Sequence, residues 1–319
     1  MPVETPETQH LPVLLEETLG FLRTTEVETA VDATLGFGGH SRAILEAFPN
    51  AKLIAFDQDE TAIALAAERL KADESRITLV HSNFENLKSG LARYSISSVD
   101  AIIADLGVSS MQIDSETRGF SFRYDAPLDM RMDQSANIET AADILADRSE
   151  TEIANLIYQL GEERLSRRIA RRIVEAREGG NPIETTKQLA ELVSRCVPRS
   201  KKDTIHPATR TFQALRIAVN GELDILDGFI ADAVDLLTTS GILAVITFHS
   251  LEDRIVKNAF QRQAGKCICP PKIPQCVCGA VKRVEILTKK PVTAGSEETN
   301  ANPRSRSAKL RVVKKIAAE

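Results

Sequence analysis

Gly36, Gly38 and Gly39 fall within four positions in AVDATLGFGGHSRAIL, and Asp57 follows Gly36 by 21 residues in AFDQD. Glycine reaches positive φ and lets a ligand lie against main chain where a Cβ would collide. An apolar run that stops on Asp32, turns through glycines and restarts as a helical run is the local pattern of an adenosine-cofactor site. A carboxylate at the end of the next strand, where Asp57 stands, can accept hydrogen bonds from both ribose hydroxyls. A glycine turn is also a common steric device, so turn and spaced acid must be read together. The dinucleotide fingerprint G-x-G-x-x-G admits a pyrophosphate. Here the pattern is Gly36-x-Gly38-Gly39, with Ser41 in the third fingerprint position and His40 crowding the helix entry. That departure favours a nucleoside without a pyrophosphate over NAD.

Further candidates follow at later strand-like ends. Phe84, in HSNFENL, could cover one face of an adenine, although a lone Phe is more often core. Asp105, in ADLGVSS, lies where such sheets perform chemistry, or else caps the following turn. His249 and Ser250 end ITFHS on the same expected sheet edge, where a histidine is more often structural. Arg164, Arg167, Arg168, Arg171 and Arg172 recur at i, i+3, i+4, i+7 and i+8, which puts them on one helical face beside Leu165, Ile169 and Ile173. Five arginines exceed what Glu162, Glu163 and Glu175 can neutralise, so the face suits phosphate, with Lys201, Lys202, Arg210 and Arg216 as its extension. Cys267, Cys269, Cys276 and Cys278 form C-x-C-x₆-C-x-C. Four thiolates suit tetrahedral zinc, yet the usual knuckle spacing is C-x₂-C. A structural metal and a loop of reduced thiols both stay open, and no metal ligand is assigned. Cys196, alone on a helical run, reads as core.

These groups need elements to hold them. Strand-like runs at Thr29–Thr34, Lys52–Phe56, Ile77–His81 and Val99–Ala104 alternate with helical runs at Ser41–Ala47 and Thr61–Leu70, after an amphipathic start at Leu11–Leu22. The alternation predicts a doubly wound, mostly parallel α/β sheet. From about Ser115 to Thr211 only helical and loop signals appear, with helices expected at Ala141–Ala146, Thr151–Leu160, Glu163–Arg177 and Thr186–Cys196. A single helix over Ala214–Leu237 then leads to a strand at Gly241–Ser250. Val281–Thr288 and Ala308–Lys314 suit antiparallel strands that close the sheet. The expected organisation is one α/β domain from 1–114 and 212–319, with a helical domain at 115–211 inserted.

Composition narrows the class. The net charge of -5 conceals segregation: residues 1–163 carry 12 Lys+Arg against 29 Asp+Glu, and residues 164–216 carry 13 against 5. The basic block marks a polyanion surface that the whole-chain balance hides. Aromatics are 4% and Trp is absent, which argues against aromatic base-stacking platforms. No run approaches a membrane span, and the start MPVETPETQH lacks the regions of a signal peptide, so no membrane partner and a cytoplasmic location are expected.

VDATLGFGGHS, AFDQD, ADLGVSS, RGFSFRYDAPLDMRMD, GEERLSRRIARRIVEAR, HPATRTFQALRIAVN, ITFHSLEDRIVK and NPRSRSAKLR together resemble the bacterial 16S rRNA cytidine N4-methyltransferases, from His10 to about Val313. The resemblance implies a Rossmann-like class I methyltransferase sheet with an inserted helical domain for substrate recognition. It also implies S-adenosylmethionine as cofactor, and 16S rRNA or the small ribosomal subunit as partner. The family's cofactor residues fall on Gly38, Gly39, His40, Asp57, Phe84, Asp105 and Gln112. An exocyclic amine is a poor nucleophile, so such an enzyme needs in-line alignment and an acceptor on the amine hydrogens. Asp105 is the catalytic candidate for that acceptor. The competing assignment gives it wholly to the cofactor and leaves the amine to backbone carbonyls at 106–109, since no Pro-Pro-aromatic follows it. An NAD-dependent oxidoreductase and a non-catalytic RNA-binding assembly factor are the alternative functions. The oligomeric state, monomer or homodimer, is left open.

Overall fold

Each apolar run before Asp105 becomes a strand, and the polar or glycine-containing stretches between them carry the helices. The computed structural model describes residues 12–198, 205–267, 269 and 280–317. The chain falls into two units, residues 1–107 with 223–319, and residues 108–222. The first unit opens with α1 (Leu15–Leu22), β1 (Thr29–Asp32), α2 (Gly39–Ala47), β2 (Lys52–Asp57) and α3 (Glu60–Arg69). It continues with β3 (Ile77–His81), α4 (Leu87–Ala92) and β4 (Val99–Asp105). The second unit holds α5 (Ser110–Asp114), α6 (Ala141–Asp147), α7 (Glu150–Gly161), α8 (Ser166–Glu178), α9 (Thr186–Cys196) and α10 (Thr209–Asn220). The first unit resumes with α11 (Leu226–Leu236), β5 (Leu237–Thr247), α12 (Ser250–Gln263), β6 (Val284–Ile286), α13 (Ser296–Ala301) and β7 (Lys309–Lys315).

In the first unit seven strands form one sheet in the order β3-β2-β1-β4-β5-β7-β6. β1 to β5 run parallel, while β7 is antiparallel to both β5 and β6. Strand order reverses direction between β1 and β4, so a crevice opens beyond their carboxyl ends, where ligands bind in open α/β sheets. Alternate residues feed opposite faces. Ile102, Ala104, Leu243 and Val245 join one buried cluster, with α4, α11 and α12 supplying Leu87, Phe229 and Phe260. Ala101, Ile103, Ala244 and Ile246 join the other, where α1, α2 and α3 supply Leu22, Ile44 and Ala66. Helices therefore cover both faces, and each fully buried Leu, Ile or Phe contributes about 1.5–3 kcal/mol relative to exposure.

The second unit contains the whole of segment 115–211 and has its own buried cluster, including Ile144, Ile153, Ile157, Ile169, Leu189 and Leu215. Its helices start where the sequence supplies reciprocal caps: Ser109 with Gln112, Thr140 with Asp143, Ser149 with Glu152 and Thr185 with Gln188. The single helix expected over Ala214–Leu237 is two helices. α10 ends at Gly221, whose φ of 61° is left-handed, and α11 begins at Leu226 in the other unit. The expected helix at Glu163–Arg177 begins only at Ser166, because Glu163 accepts the Leu165 N–H and holds the chain in a turn. Among the described residues no helix is long and apolar enough to cross a membrane.

Gly161 ends α7 against α10, where an added Cβ would lie 2.5 Å from the Arg210 carbonyl oxygen and 3.2 Å from Ala214 Cβ. Gly228, exposed on α11, has open space at that position. Gly161→Ala should therefore destabilise the protein by about 1–3 kcal/mol in urea unfolding. Gly228→Ala should be neutral or stabilising by up to about 1 kcal/mol. Equal effects of the two would rule out the close approach of α7 and α10.

Candidate active site

β1 pairs Asp32 with Ala55 of β2 and with Ile103 of β4, so Asp57 and Asp105 both stand two residues beyond it along their strands. The turn after β1 folds into the space between those two carboxylates. Asp32 organises it: its Oδ1 accepts from the Thr34 N–H at 3.1 Å and its Oδ2 from the Ser41 hydroxyl at 2.7 Å. The Thr34 hydroxyl oxygen in turn accepts the Asp105 N–H at 2.7 Å, which ties the turn to the end of β4. Gly36 and Gly38 have φ of 50° and 74°, in the left-handed region that glycine enters without strain. Gly38 caps α2, and a Cβ there would lie 2.9 Å from Leu70 Cδ1. At Gly39 a Cβ would come within 2.6 Å of Pro12 Cγ. The two glycines thus meet separate requirements, backbone conformation at Gly38 and close packing at Gly39.

Asp57 accepts the Gly36 N–H at 2.8 Å on one oxygen and the Asp59 N–H at 2.8 Å on the other. Each oxygen keeps a lone pair for a further donor. Burial pushes its carboxyl up to about 6, although both backbone N–H bonds favour the charged form. Asp32 is likewise raised by burial, with the His40 imidazole pulling the other way. His40, in the first turn of α2, is buried, and its Nε2 lies 3.6 Å from Asp105 Oδ2. Neither His40 Nε2 nor Asp105 Oδ1 has a hydrogen-bond partner. Buried polar atoms are rarely left so, because each costs about 1–3 kcal/mol. Two of them at the switch point of the sheet mark a place built to receive a polar ligand.

Gly38, Gly39, His40, Asp57 and Asp105 therefore gather around one turn. Phe84 follows β3, the neighbour of β2, and its ring packs edge-on against Phe229 with centroids 4.9 Å apart. Gln112 belongs to the second unit, where its side chain accepts the Ser109 N–H at the start of α5. His249 caps α12: its Nδ1 accepts the Glu252 N–H, and its Nε2 lies 3.0 Å from Glu252 Oε1. Its Nδ1 is thus engaged in capping while Nε2 is buried without a hydrogen-bond partner, and Ser250 opens the same helix. Asp32 and Thr34 had no assigned role from the sequence; the signal available was an acid closing an otherwise apolar strand. Ser41 marks the departure from a dinucleotide fingerprint, and its hydroxyl is committed to Asp32.

On the second unit, Arg167, Arg168, Arg171 and Arg172 of α8 line a shallow concavity with Glu175. Arg172 pairs with Glu175 at 2.7 Å, and Arg171 lies 3.8 Å from Glu150. Arg167 and Arg168 are exposed and make no ion pair among the described residues. Arg164 sits in the turn before α8 rather than on its face. Arg216 is held bidentate by Glu222 at 2.8 Å, and Arg210 reaches the carbonyl of Glu162. Lys201 and Lys202 lie outside the described residues, as do Cys276 and Cys278. Cys267 is exposed and Cys196 is buried, its thiol pushed up by burial. Among the described residues no cluster of three His, Cys, Asp or Glu is arranged for a metal ion.

A doubly wound sheet with a glycine turn, a following strand-end acid and unpartnered polar atoms at its switch point defines a nucleoside-binding α/β enzyme domain. The chain belongs to the MraW methylase family, whose description matches residues 7–316. A "Ribosomal RNA small subunit methyltransferase H" of Citrifermentans bemidjiense is 49% identical over 309 residues, covering 96% of this chain and 98% of that one. A protein of the same name from Clostridium botulinum is 50% identical over 311 residues, covering 97% of this chain and 100% of the other.

Proposed function

We propose that this protein transfers a methyl group from S-adenosylmethionine to the exocyclic N4 amine of a cytidine in 16S rRNA, in the decoding region of the small subunit. The observation that carries the reading is the half-buried Asp105 carboxylate, with its Oδ1 unpartnered, beside the glycine turn of a chain in the MraW methylase family. The residues present fit the cofactor. The turn at Gly36–Gly39 exposes main chain, Asp57 keeps lone pairs for ribose hydroxyls, and Phe84 offers an apolar ring. Gln112 is a cofactor residue by the family resemblance alone. When bound, the cofactor supplies an electrophilic methyl group on a sulfonium.

The protein's share is then alignment and an acceptor. Asp105 accepts from the amine hydrogens, which localises the nitrogen lone pair and offsets the positive charge that develops on N4. Holding the amine in line replaces a bimolecular encounter by a positioned one. The exposed arginines of α8 contact rRNA phosphates, a sequence-independent contribution whose loss with salt follows the number of phosphates neutralised. The setting is the cytoplasm, with rRNA either free or in a subunit. Neither alternative function is supported: the relatives carry a methyltransferase name, and Ser41 is bound where a dinucleotide fold needs its third glycine.

Asp105→Ala should abolish methylated cytidine in small-subunit rRNA, read by mass spectrometry after incubation with purified enzyme and cofactor. Near wild-type product from a variant that binds cofactor normally would refute the acceptor role.

Asp57 gives a pH dependence whose sign is fixed. Its raised pKa means that the ligand-free carboxyl takes up a proton as pH falls through about 6. Ribose hydroxyls donate to the ionised form, so binding in acid must expel that proton. Affinity for S-adenosylmethionine should be flat above about pH 7 and weaken by up to about tenfold per unit below the pKa. Calorimetry should find this slope in the wild type and not in Asp57→Asn; an identical slope in both would assign it elsewhere.

Replacing Arg167, Arg168 and Arg171 together by Glu should weaken rRNA or subunit binding and flatten its salt dependence, with cofactor affinity intact. An unchanged salt slope would remove α8 from the interface.

A further inference from the structure

The Asp105 carboxylate has a neighbour whose side chain the methyl-transfer reading has not used. His40 projects from the first turn of α2 with its side chain 8% exposed, and Nε2 is directed at Asp105 Oδ2 across 3.6 Å. That atom and Asp105 Oδ1 are buried without a hydrogen-bond partner, as is His249 Nε2 at the start of α12. The Asp105 N–H goes to Thr34, and Thr34 N–H and the Ser41 hydroxyl go to Asp32. The titratable groups facing the imidazole are Asp105 from β4 and Asp32 from β1.

A carboxylate that must accept from a substrate amine needs an anchor that fixes its orientation. Asp105 has no such anchor in its own side-chain bonds, and its backbone tie to Thr34 leaves the carboxyl free to rotate. The imidazole is the group within reach. Hydrogen bonds of catalytic groups are often long in ligand-free enzymes and close when the site is filled. An apolar residue at position 40 would fill the same buried volume and offer no donor.

We propose that His40 is a positioning residue for methyl transfer: its Nε2–H holds the Asp105 carboxylate in one orientation for the incoming amine. The role is distinct from any main-chain contact of the Gly38–His40 turn with the cofactor, because it acts through Asp105. It rests on the methyl-transfer reading, and its two tests separate it from that reading.

Single-turnover methylation of small-subunit rRNA at saturating cofactor provides the first test, with His40→Leu and His40→Gln. Leu removes the donor, and Gln keeps one near the Nε2 position. His40→Leu should lower the rate by tenfold or more, on the order of a lost general acid–base contact. His40→Gln should recover most of that loss, with cofactor affinity by calorimetry within about threefold in both. If Gln is as slow as Leu, or if the whole loss lies in cofactor affinity, the positioning role is overturned. The second test needs no turnover: the ring-nitrogen resonances of His40 in ligand-free protein, assigned by their disappearance in His40→Gln. They should shift in Asp105→Asn, and unchanged resonances overturn the contact. This shift in Asp105→Asn, found together with a wild-type protein that leaves rRNA unmethylated, would refute the reading of function while keeping the contact.

Discussion

The site depends on Asp32, a carboxylate buried at the end of β1. It accepts the Thr34 N–H and the Ser41 hydroxyl, and so closes the turn between β1 and α2 from both sides. Thr34 then spends its own hydroxyl oxygen on the Asp105 N–H. One buried acid thereby sets the path of the glycine turn, the entry of α2 and the level at which β4 ends. Hydrogen bonds to a charged group are worth about 1.5–3 kcal/mol each, but burial works against the charge and raises the Asp32 carboxyl. The His40 imidazole and the bonds from Ser41 and Thr34 work against that rise.

The three aspartates at these strand ends divide the work by environment. Asp32 takes its hydrogen bonds from within the turn, one on each oxygen, and belongs to the fold. Asp57 is satisfied by two backbone N–H groups but retains acceptor capacity, and burial brings its proton into a range where a ligand can displace it. Asp105 keeps one oxygen unpartnered. Asp32 and Asp57 each accept one protein hydrogen bond per oxygen, whereas Asp105 accepts none on Oδ1. A carboxylate already satisfied by the protein gains little from a further donor, so of the three Asp105 has the most to gain from a ligand.

Much of this was legible in sequence because it rests on local patterns. Gly36, Gly38, Gly39 and Asp57 announce themselves by residue type and spacing, and alternating apolar runs give the parallel sheet. What escaped depends on geometry that spacing does not encode. The bonds of Asp32, Thr34 and Ser41 require side chains on a turn to converge, which only the folded backbone decides. The helix expected over Ala214–Leu237 hid a break, because Gly221 in a helical pattern reads equally as a tolerated interior glycine and as a terminator. Arg216 looked like one more basic residue until its pairing with Glu222 removed it from the charged face. Arg164 kept helical spacing while lying in a turn, since Glu163 holds the preceding backbone.

The segregation of charge along the chain follows from the same division of labour. Residues 1–163 are strongly acidic, and residues 164–216 are basic. A polyanion is repelled by an acidic surface at distances within a Debye length, about 8–10 Å at physiological salt. α8, within a unit that carries its own core, concentrates exposed cations of the kind that suit a polyanion. Backbone phosphates carry no sequence information, so such a surface contributes affinity and orientation. The choice of nucleotide must come from groups that touch the base. On the proposed function, affinity falls to the exposed arginines of α8 and selection to groups at the strand ends of the first unit, two different stretches of the chain.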